Sequence, residues 1–342
     1  MSQRLRLRDW PRLSPRRLSR LAGVVGVATL VALAACGGRG DDSVADGPAT
    51  ADAGATDAGT DDGDVARGRA RSNRDDDFAV ALPRDAGSAT RIVSLSPALT
   101  EIIYALGEGE RLVGRTSWDD RPAAVRAVTD VGPGIRPNVE AVLATRPTLV
   151  LLYASPDNRA AAAALERAGV RVVALRTVTI GDFRRSARVL GQILDAAPAA
   201  TTLVDSVSAT LDAVRAALRD VPRPRVVWPS WDAPVMVVGN GSYEAELLDI
   251  AGATNIFADR AEPVATVTVE EIAARDPDLV LAGPDRIARL RESPPWRAVR
   301  AARDGRFVVL DTSVIGRPGV AIGMSAVALA RALHPDRADR LP

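Results

Sequence analysis

The sequence predicts an α/β protein with two Rossmann-like lobes, each built on a central parallel sheet, joined by a single long helix. Strand-like and helix-like segments alternate from Arg91 onward, a pattern typical of parallel sheets that helices cover on both faces. The segments 138–151 and 268–281 also read almost alike, and Glu140 of the first corresponds to Glu270 of the second. A repeat of this length indicates two similar lobes rather than a solenoid.

The elements of the first lobe follow from their capping and breaking residues. A strand from Arg91 ends before Ser96-Pro97, and the next helix closes at Gly107. A short strand then leads into a polar loop that contains Trp118. The remaining elements are the repeat helix after Asn138, strand 149–153, helix 158–168, strand 170–175 and helix 181–197.

A long helix is predicted to start after Pro198, with apolar residues at helical spacing up to Leu218. At about 1.5 Å per residue it spans roughly 33 Å, enough to run from one lobe to the other. The second lobe repeats the scheme. Its elements are strand 226–228, a polar loop 229–234 that contains Trp231, strand 235–238, helix 243–251, the second repeat unit, strand 307–310 and helix 319–333.

Residues 1–35 predict a lipoprotein signal peptide. Seven Arg precede an apolar segment of about 15 residues, which is short of the ~20 that a membrane span needs. The segment ends in Leu33-Ala34-Ala35-Cys36, which resembles the bacterial lipobox. We therefore expect Cys36, the only cysteine, to carry the lipid of an extracytoplasmic (periplasmic) protein anchored to the cell membrane.

Residues 36–88 predict a disordered tether between this anchor and the folded body. They are mainly Gly, Ala, Asp, Thr and Arg, and cannot bury enough apolar surface to fold. The body is then divided into an N-terminal lobe over 89–197, a connecting helix over 198–221 and a C-terminal lobe over 222–334. A short tail follows at 335–342.

The residue types exclude several kinds of chemistry. The only histidine, His334, follows the last helix and is expected at the surface, so no Ser-His-Asp arrangement is credible. All 44 basic residues are Arg, which excludes a Walker lysine and a Schiff-base lysine. Clusters of His or Cys for a metal are missing, and there is no basic stripe for nucleic acid. We expect no catalytic residues, no bound metal and no cofactor.

Several segments of the body together resemble a known family. They are Arg91-Ile-Val-Ser-Leu-Ser-Pro-Ala-Leu-Thr-Glu-Ile-Ile-Tyr-Ala-Leu-Gly, Leu112-Val-Gly-Arg-Thr-Ser-Trp-Asp-Asp-Arg-Pro, both repeat units, Gly252-Ala-Thr-Asn-Ile-Phe-Ala-Asp and Arg317-Pro-Gly. Over 91–333 the chain resembles the metal-chelate substrate-binding proteins of ABC importers, the receptors for cobalamin, siderophores and haem. The resemblance implies the class III periplasmic-binding-protein fold, in which one rigid helix joins the lobes.

The resemblance also implies a function: a monomeric receptor that captures a metal chelate and delivers it to an ABC permease dimer. Two other functions stay open from the residues alone. One is a lipid-anchored hydrolase outside the cell that uses carboxylates, which predicts paired acids within one cleft. The other is a lipoprotein that binds a ligand or polymer without transport.

Glu140 and Glu270 lie where the family presents one surface glutamate per lobe to arginines of the permease. Two carboxylates on equivalent helix starts also suit docking onto a two-fold symmetric partner. The alternative explanation is compensation of the helix dipole in the first turn, worth about 0.3–1 kcal/mol each.

The chelate would lie in the cleft between the lobes. Trp118 matches an aromatic ligand contact of the cobalamin receptors, and Trp231 lies in the corresponding loop of the second lobe. Arg136 and Arg317 are candidates to face acidic groups of the chelate. The segments 131–136 and 263–266 lack the aromatics that stack on the corrin ring in the cobalamin receptor, so siderophore and haem stay open. Two further tryptophans are expected to pack in the interior: Trp228 and Trp296.

Overall fold

The computed structural model describes residues 77, 89–310, 315 and 317–342. Cys36 and the signal peptide therefore lie outside the described residues.

Four short apolar segments form a parallel sheet in the first lobe. The strands are β1 (Ile92–Leu95), β2 (Leu112–Gly114), β3 (Leu149–Tyr153) and β4 (Arg171–Leu175). They pair in the order β2–β1–β3–β4, all parallel. The helices that connect or follow them are α1 (Pro97–Ala105), α2 (Val139–Ala144), α3 (Arg159–Arg167) and α4 (Ile180–Ile193).

The second lobe contains a similar parallel sheet. Its strands are β5 (Arg225–Val227), β8 (Thr254–Asn255), β10 (Leu279–Ala282) and β11 (Phe307–Val309). They pair in the order β11–β10–β5–β8. The accompanying helices are α6 (Tyr243–Ile250), α7 (Val269–Arg275), α8 (Pro284–Glu292), α9 (Arg300–Arg303) and α10 (Ile322–Leu333).

A third, antiparallel sheet departs from the sequence-based prediction. It consists of β6 (Pro229–Asp232), β7 (Val235–Val238) and β9 (Val264–Thr266), in that order. The segment that holds Trp231 is thus a strand paired with β7, and the prediction of a loop at 229–234 is wrong. Because β6 lies at the edge of the sheet, it tolerates a polar sequence that begins with proline.

Helix α5 (Ala197–Ala217) joins the lobes. Its 21 residues span roughly 32 Å at 1.5 Å per residue. It packs against α4 of the first lobe and against α6 and α10 of the second. One continuous apolar core contains residues of both lobes and the buried side of α5, including Phe183, Leu211 and Leu247. Because interiors are close-packed, this core resists movement of one lobe against the other. The two lobes and the single helix that joins them confirm the predicted fold class.

His334 is buried, so the prediction of a surface histidine is wrong. It is 4 % exposed, and Nε2 lies 3.0 Å from the carbonyl oxygen of Ala251 at the end of α6. The last carbonyls of a helix lack partners within the helix, and the imidazole satisfies one of them. Packing of α10 onto α6 brings the two together. Trp228 and Trp296 are buried, as predicted.

Asp77, which belongs to the predicted tether, contacts the first lobe. Its carboxylate accepts hydrogen bonds from Nε and Nη2 of Arg185 at 2.8 and 2.9 Å, and from the backbone N–H of Arg176 at 2.8 Å. This contact fixes one point of the N-terminal segment on α4. Within the described part of the chain, no helix combines the length and apolar character that crossing a membrane requires.

Candidate functional site

A cavity of about 260 Å³ opens at the carboxyl edge of the first sheet. Its lining comes mainly from segments that end or follow strands of that sheet, and partly from the second lobe: Leu95, Ser96, Pro97, Ala98, Trp118, Gly134, Ile135, Tyr153, Thr177, Arg317 and Pro318. Loops after parallel strands meet at one edge of a sheet, which is where α/β proteins bind ligands. Since Arg317 and Pro318 come from the second lobe, the cavity is shared by both lobes.

A hydrogen-bonded turn presents Trp118 at this cavity. The backbone N–H of Trp118 donates to Oγ1 of Thr116 at 3.1 Å. Asp119 accepts from the backbone N–H and the hydroxyl of Thr116 at 2.8 and 2.6 Å, so its carboxylate fixes the turn from inside. Burial raises the pKa of Asp119, although these hydrogen bonds oppose the rise. Trp118 itself is 52 % exposed, which leaves much of its ring available to a ligand.

Arg317 reaches across the lobe boundary to a buried carboxylate. Its Nη1 lies 3.5 Å from Oε1 of Glu101 in α1, and its Nη2 lies 3.0 Å from Oδ1 of Asp120. Arg121 approaches the same Glu101 oxygen at 3.3 Å. Burial raises the pKa of Glu101, and the two guanidinium groups counteract this rise. The cluster therefore links the two lobes through ion pairs beside the cavity.

Asn158 forms hydrogen bonds that hold together the part of the cavity wall formed by Tyr153 and Gly134. Its side-chain amide donates to the carbonyl oxygens of Tyr153 and Gly134 at 2.9 and 3.1 Å, and its oxygen accepts from the backbone N–H of Arg136 at 3.1 Å. These bonds hold the loop before α2 against the end of β3. Burial raises the pKa of Tyr153, so this residue offers a neutral phenol to the cavity.

The structure brings together two of the four predicted ligand contacts. Trp118 and Arg317 line the same cavity. Arg136 lies outside the lining, 78 % exposed in its side chain, and pairs with Asp157 at 2.9 Å. Trp231 also lies outside it, 58 % exposed on β6, where its indole N–H donates to the carbonyl oxygen of Ala233 at 3.1 Å.

Glu140 and Glu270 occupy equivalent positions in the two lobes. Each lies in the first turn of a short helix, α2 or α7, and both are exposed. The caps match as well, because Asn138 accepts from the backbone N–H of Ala141 and Thr268 from that of Glu271, each at 3.1 Å. Among the described residues neither glutamate forms an ion pair, whereas neighbouring Glu271 pairs with two arginines. Both carboxylates are thus available to a partner.

Sequence reasoning missed Tyr153, Thr177 and Glu101. The first two had a usable signal, since each ends or follows a strand of a predicted parallel sheet. Glu101 gave little signal, because a single carboxylate in a helix is normally solvated. Within the described ranges, no group of three or more His, Cys, Asp or Glu side chains is arranged to hold a metal ion.

Two α/β lobes fixed by one helix, with a largely apolar cavity shared between them, define a binding protein with a helical backbone. The chain belongs to the periplasmic binding protein family, whose sequence model matches residues 92–314. It is a binding protein and not an enzyme, as its similarity to other binding proteins also shows.

Three similar proteins illustrate the relationship. A vitamin B12-binding protein of Vibrio vulnificus is 24 % identical over 242 residues, which cover 70 % of this chain and 88 % of the relative. YvrC of Bacillus subtilis, described as an uncharacterized ABC transporter substrate-binding lipoprotein, is 29 % identical over 254 residues, or 72 % and 80 % of the two chains. The apo structure of the periplasmic haem-binding protein RhuT from Roseiflexus has a TM-score of 0.64 and 26 % identity, over 74 % of this chain and all of that one.

Proposed function

We propose that this chain is the extracytoplasmic substrate-binding lipoprotein of an ABC importer, and that it captures a metal chelate and delivers it to a permease dimer. The chelate is a corrinoid, a haem or a ferric siderophore. The observation that carries the proposal is the shared cavity, in which Trp118 of one lobe and Arg317 of the other line the same space. Relatives named for vitamin B12, haem and ABC transport support it.

The lining suits a flat or bulky complex more than a small ion. The volume of the cavity, about 260 Å³, lies just below the ~300–1,000 Å³ of typical ligand pockets. A large chelate would therefore be enclosed only in part. The half-exposed ring of Trp118 would then cover a face of the ligand at the rim. Trp231, also exposed but outside the cavity, is proposed to contact parts of the ligand that extend beyond it.

In this proposal Glu140 and Glu270 are the docking residues for the permease. Support comes from their exposure, their equivalent helix positions and the lack of ion pairs among the described residues. Charge complementarity with arginines of a two-fold symmetric partner would fix the register of docking. The lipid on Cys36 would keep the receptor at the membrane, with the tether allowing it to reach the permease.

Native mass spectrometry of the purified protein tests ligand capture. The protein is incubated separately with cyanocobalamin, haemin and ferric siderophores, and a complex of one protein with one or two chelates is expected for at least one class. The Trp118→Ala variant serves as the site control, because it should form less of the complex while keeping its fold. Absence of a complex with every class would contradict the proposed function.

A further inference from the structure

The charged groups beside the cavity are already paired. Among the described residues of the lining, Arg317 is the one charged side chain. Its guanidinium lies 3.5 Å from Glu101 and 3.0 Å from Asp120, while Arg121 lies 3.3 Å from Glu101. Asp119, which is also buried, directly precedes Asp120 in the same loop. Three carboxylates therefore accompany two guanidinium groups, and this cluster supplies no excess of positive charge.

Glu101 is held in place by the second lobe. It is 3 % exposed, and a Cβ atom added at Gly319 would clash with its Oε2. The carboxylate is thus packed against the backbone two residues after Arg317. Close packing of this buried carboxylate against Gly319 opposes rearrangement of the Glu101–Arg317 pair when a ligand arrives.

Arg136, the predicted ligand contact that lies outside the lining, is balanced in the same way. Nε and Nη2 of Arg136 both donate to Oδ1 of Asp157, at 3.2 and 2.9 Å. An unbalanced charge is unfavourable in a partly desolvated cleft, so a ligand with strong negative charge needs unpaired cations around it. The remaining lining offers apolar surface and the hydroxyl residues Ser96, Tyr153 and Thr177.

We propose that this cleft selects metal chelates without net negative charge, neutral or cationic complexes, and disfavours polyanionic ones. Glu101 acts as the positioning residue that neutralises Arg317, and Arg317 donates to a neutral oxygen of the ligand rather than to a carboxylate. This inference rests on the proposed function and specifies its ligand class. It also predicts that the two lobes keep the Glu101–Arg317 contact when the ligand is bound.

Quenching of tryptophan fluorescence measures the selectivity of the purified full-length protein. The probes are cyanocobalamin, which is uncharged, ferrioxamine B, a cationic ferric trihydroxamate, haemin, which carries two carboxylates, and ferric enterobactin, an anionic tris-catecholate. Cyanocobalamin or ferrioxamine B should bind at least about tenfold more tightly than haemin and than ferric enterobactin. This is a difference of about 1.4 kcal/mol in binding free energy. Equal or tighter binding of an anion overturns the inference while leaving the proposed function intact. If no probe binds, the proposed function fails and the inference fails with it.

Charge-removing variants test the assigned cause. Glu101→Gln and Asp120→Asn each remove one negative charge, and each should tighten binding of the anionic probes by up to about tenfold, more than it tightens binding of cyanocobalamin. Asp120 is about half exposed, so its variant remains informative if Glu101→Gln does not fold. Glu166→Gln, at an exposed position of α3 outside the lining, is the matched control and should change neither affinity. Unchanged anion affinity in both test variants overturns the inference.

Discussion

Oε2 of Glu246 accepts a hydrogen bond from the backbone N–H of Ile180, at 2.6 Å. Ile180 begins α4 in the first lobe and Glu246 belongs to α6 in the second, so this bond joins the lobes independently of α5. The first N–H groups of a helix lack partners within it, and the positive end of the helix dipole favours a carboxylate. A second bond, from the backbone N–H of Tyr243 to the carbonyl oxygen of Val178 at 2.8 Å, lies beside it.

The pKa of Glu246 is raised from its ordinary value of 4.5 by burial, against the lowering effect of the Ile180 N–H. A raised folded-state pKa means that the folded protein binds this proton more tightly than the unfolded chain, so stability is lost as the pH rises through that pKa. Glu246→Gln keeps an acceptor oxygen without the charge. The variant should therefore gain stability relative to wild type as the pH rises from about 4 to 7, as measured by urea unfolding.

The control for this prediction is Glu246→Ala, which leaves the Ile180 N–H without its acceptor. It should lower the free energy of unfolding by about 1–3 kcal/mol at neutral pH. If the difference between wild type and Glu246→Gln does not change with pH, the titration of Glu246 does not contribute to stability.

Trp118→Ala should weaken chelate binding by about 1–3 kcal/mol, because it removes the exposed aromatic face of the cavity. Trp231→Ala should weaken binding less, since Trp231 lies outside the lining. Fluorescence titration measures both affinities, and thermal unfolding shows that each variant keeps its fold. A larger loss in Trp231→Ala than in Trp118→Ala would place the ligand over β6 instead of in the cavity.

The local parts of the fold were predictable from the sequence, and the long-range contacts were not. Each repeat unit carries three signals in its own sequence: an N-cap residue, apolar residues at helical spacing and a proline before a strand. The elements α2–β3 and α7–β10 form where these signals predict them. The β6–β7 hairpin was missed because an edge strand depends on pairing with β7 more than on its own composition.

For the site, the sequence indicated which loops to inspect but not how they meet. Trp118 and Arg317 are 199 residues apart in the chain and share a cavity because α5 and the direct contacts between the lobes bring them together. Glu101 lies against Gly319, where a larger residue would clash with it, and His334 is buried where α10 packs against α6. Such contacts between distant segments leave no periodic or compositional signal.

Cys36→Ser should release the protein from membranes and leave the body folded. Acyl chains contribute about 0.8 kcal/mol per buried CH₂ group to membrane attachment, and the hydroxyl of serine cannot carry the thioether-linked lipid. Cell fractionation followed by immunoblotting measures the distribution, and chelate affinity of the released protein serves as the folding control. Recovery of the variant wholly in the membrane fraction would show that another segment provides the anchor.

Reversal of Glu140 or Glu270 to Arg should impair delivery and spare ligand capture. Each change would place like charges across the proposed contact with the permease arginines, at a cost of several kcal/mol there. Because neither residue lines the cavity, the chelate affinity of the isolated receptor should change by less than about twofold. Complex formation with the permease in detergent and uptake in cells should both fall, most of all in the double variant.

The matched controls for docking are Glu166→Arg in the first lobe and Glu292→Arg in the second. Both positions are exposed helical glutamates, at α3 and at the end of α8, so they carry the same charge change outside the two repeat units. They should leave permease binding and uptake near wild-type values. A general effect of net charge would instead impair all four variants alike. If Glu140→Arg and Glu270→Arg abolish chelate binding while the complex with the permease survives, these glutamates serve the ligand site, and the docking role is wrong.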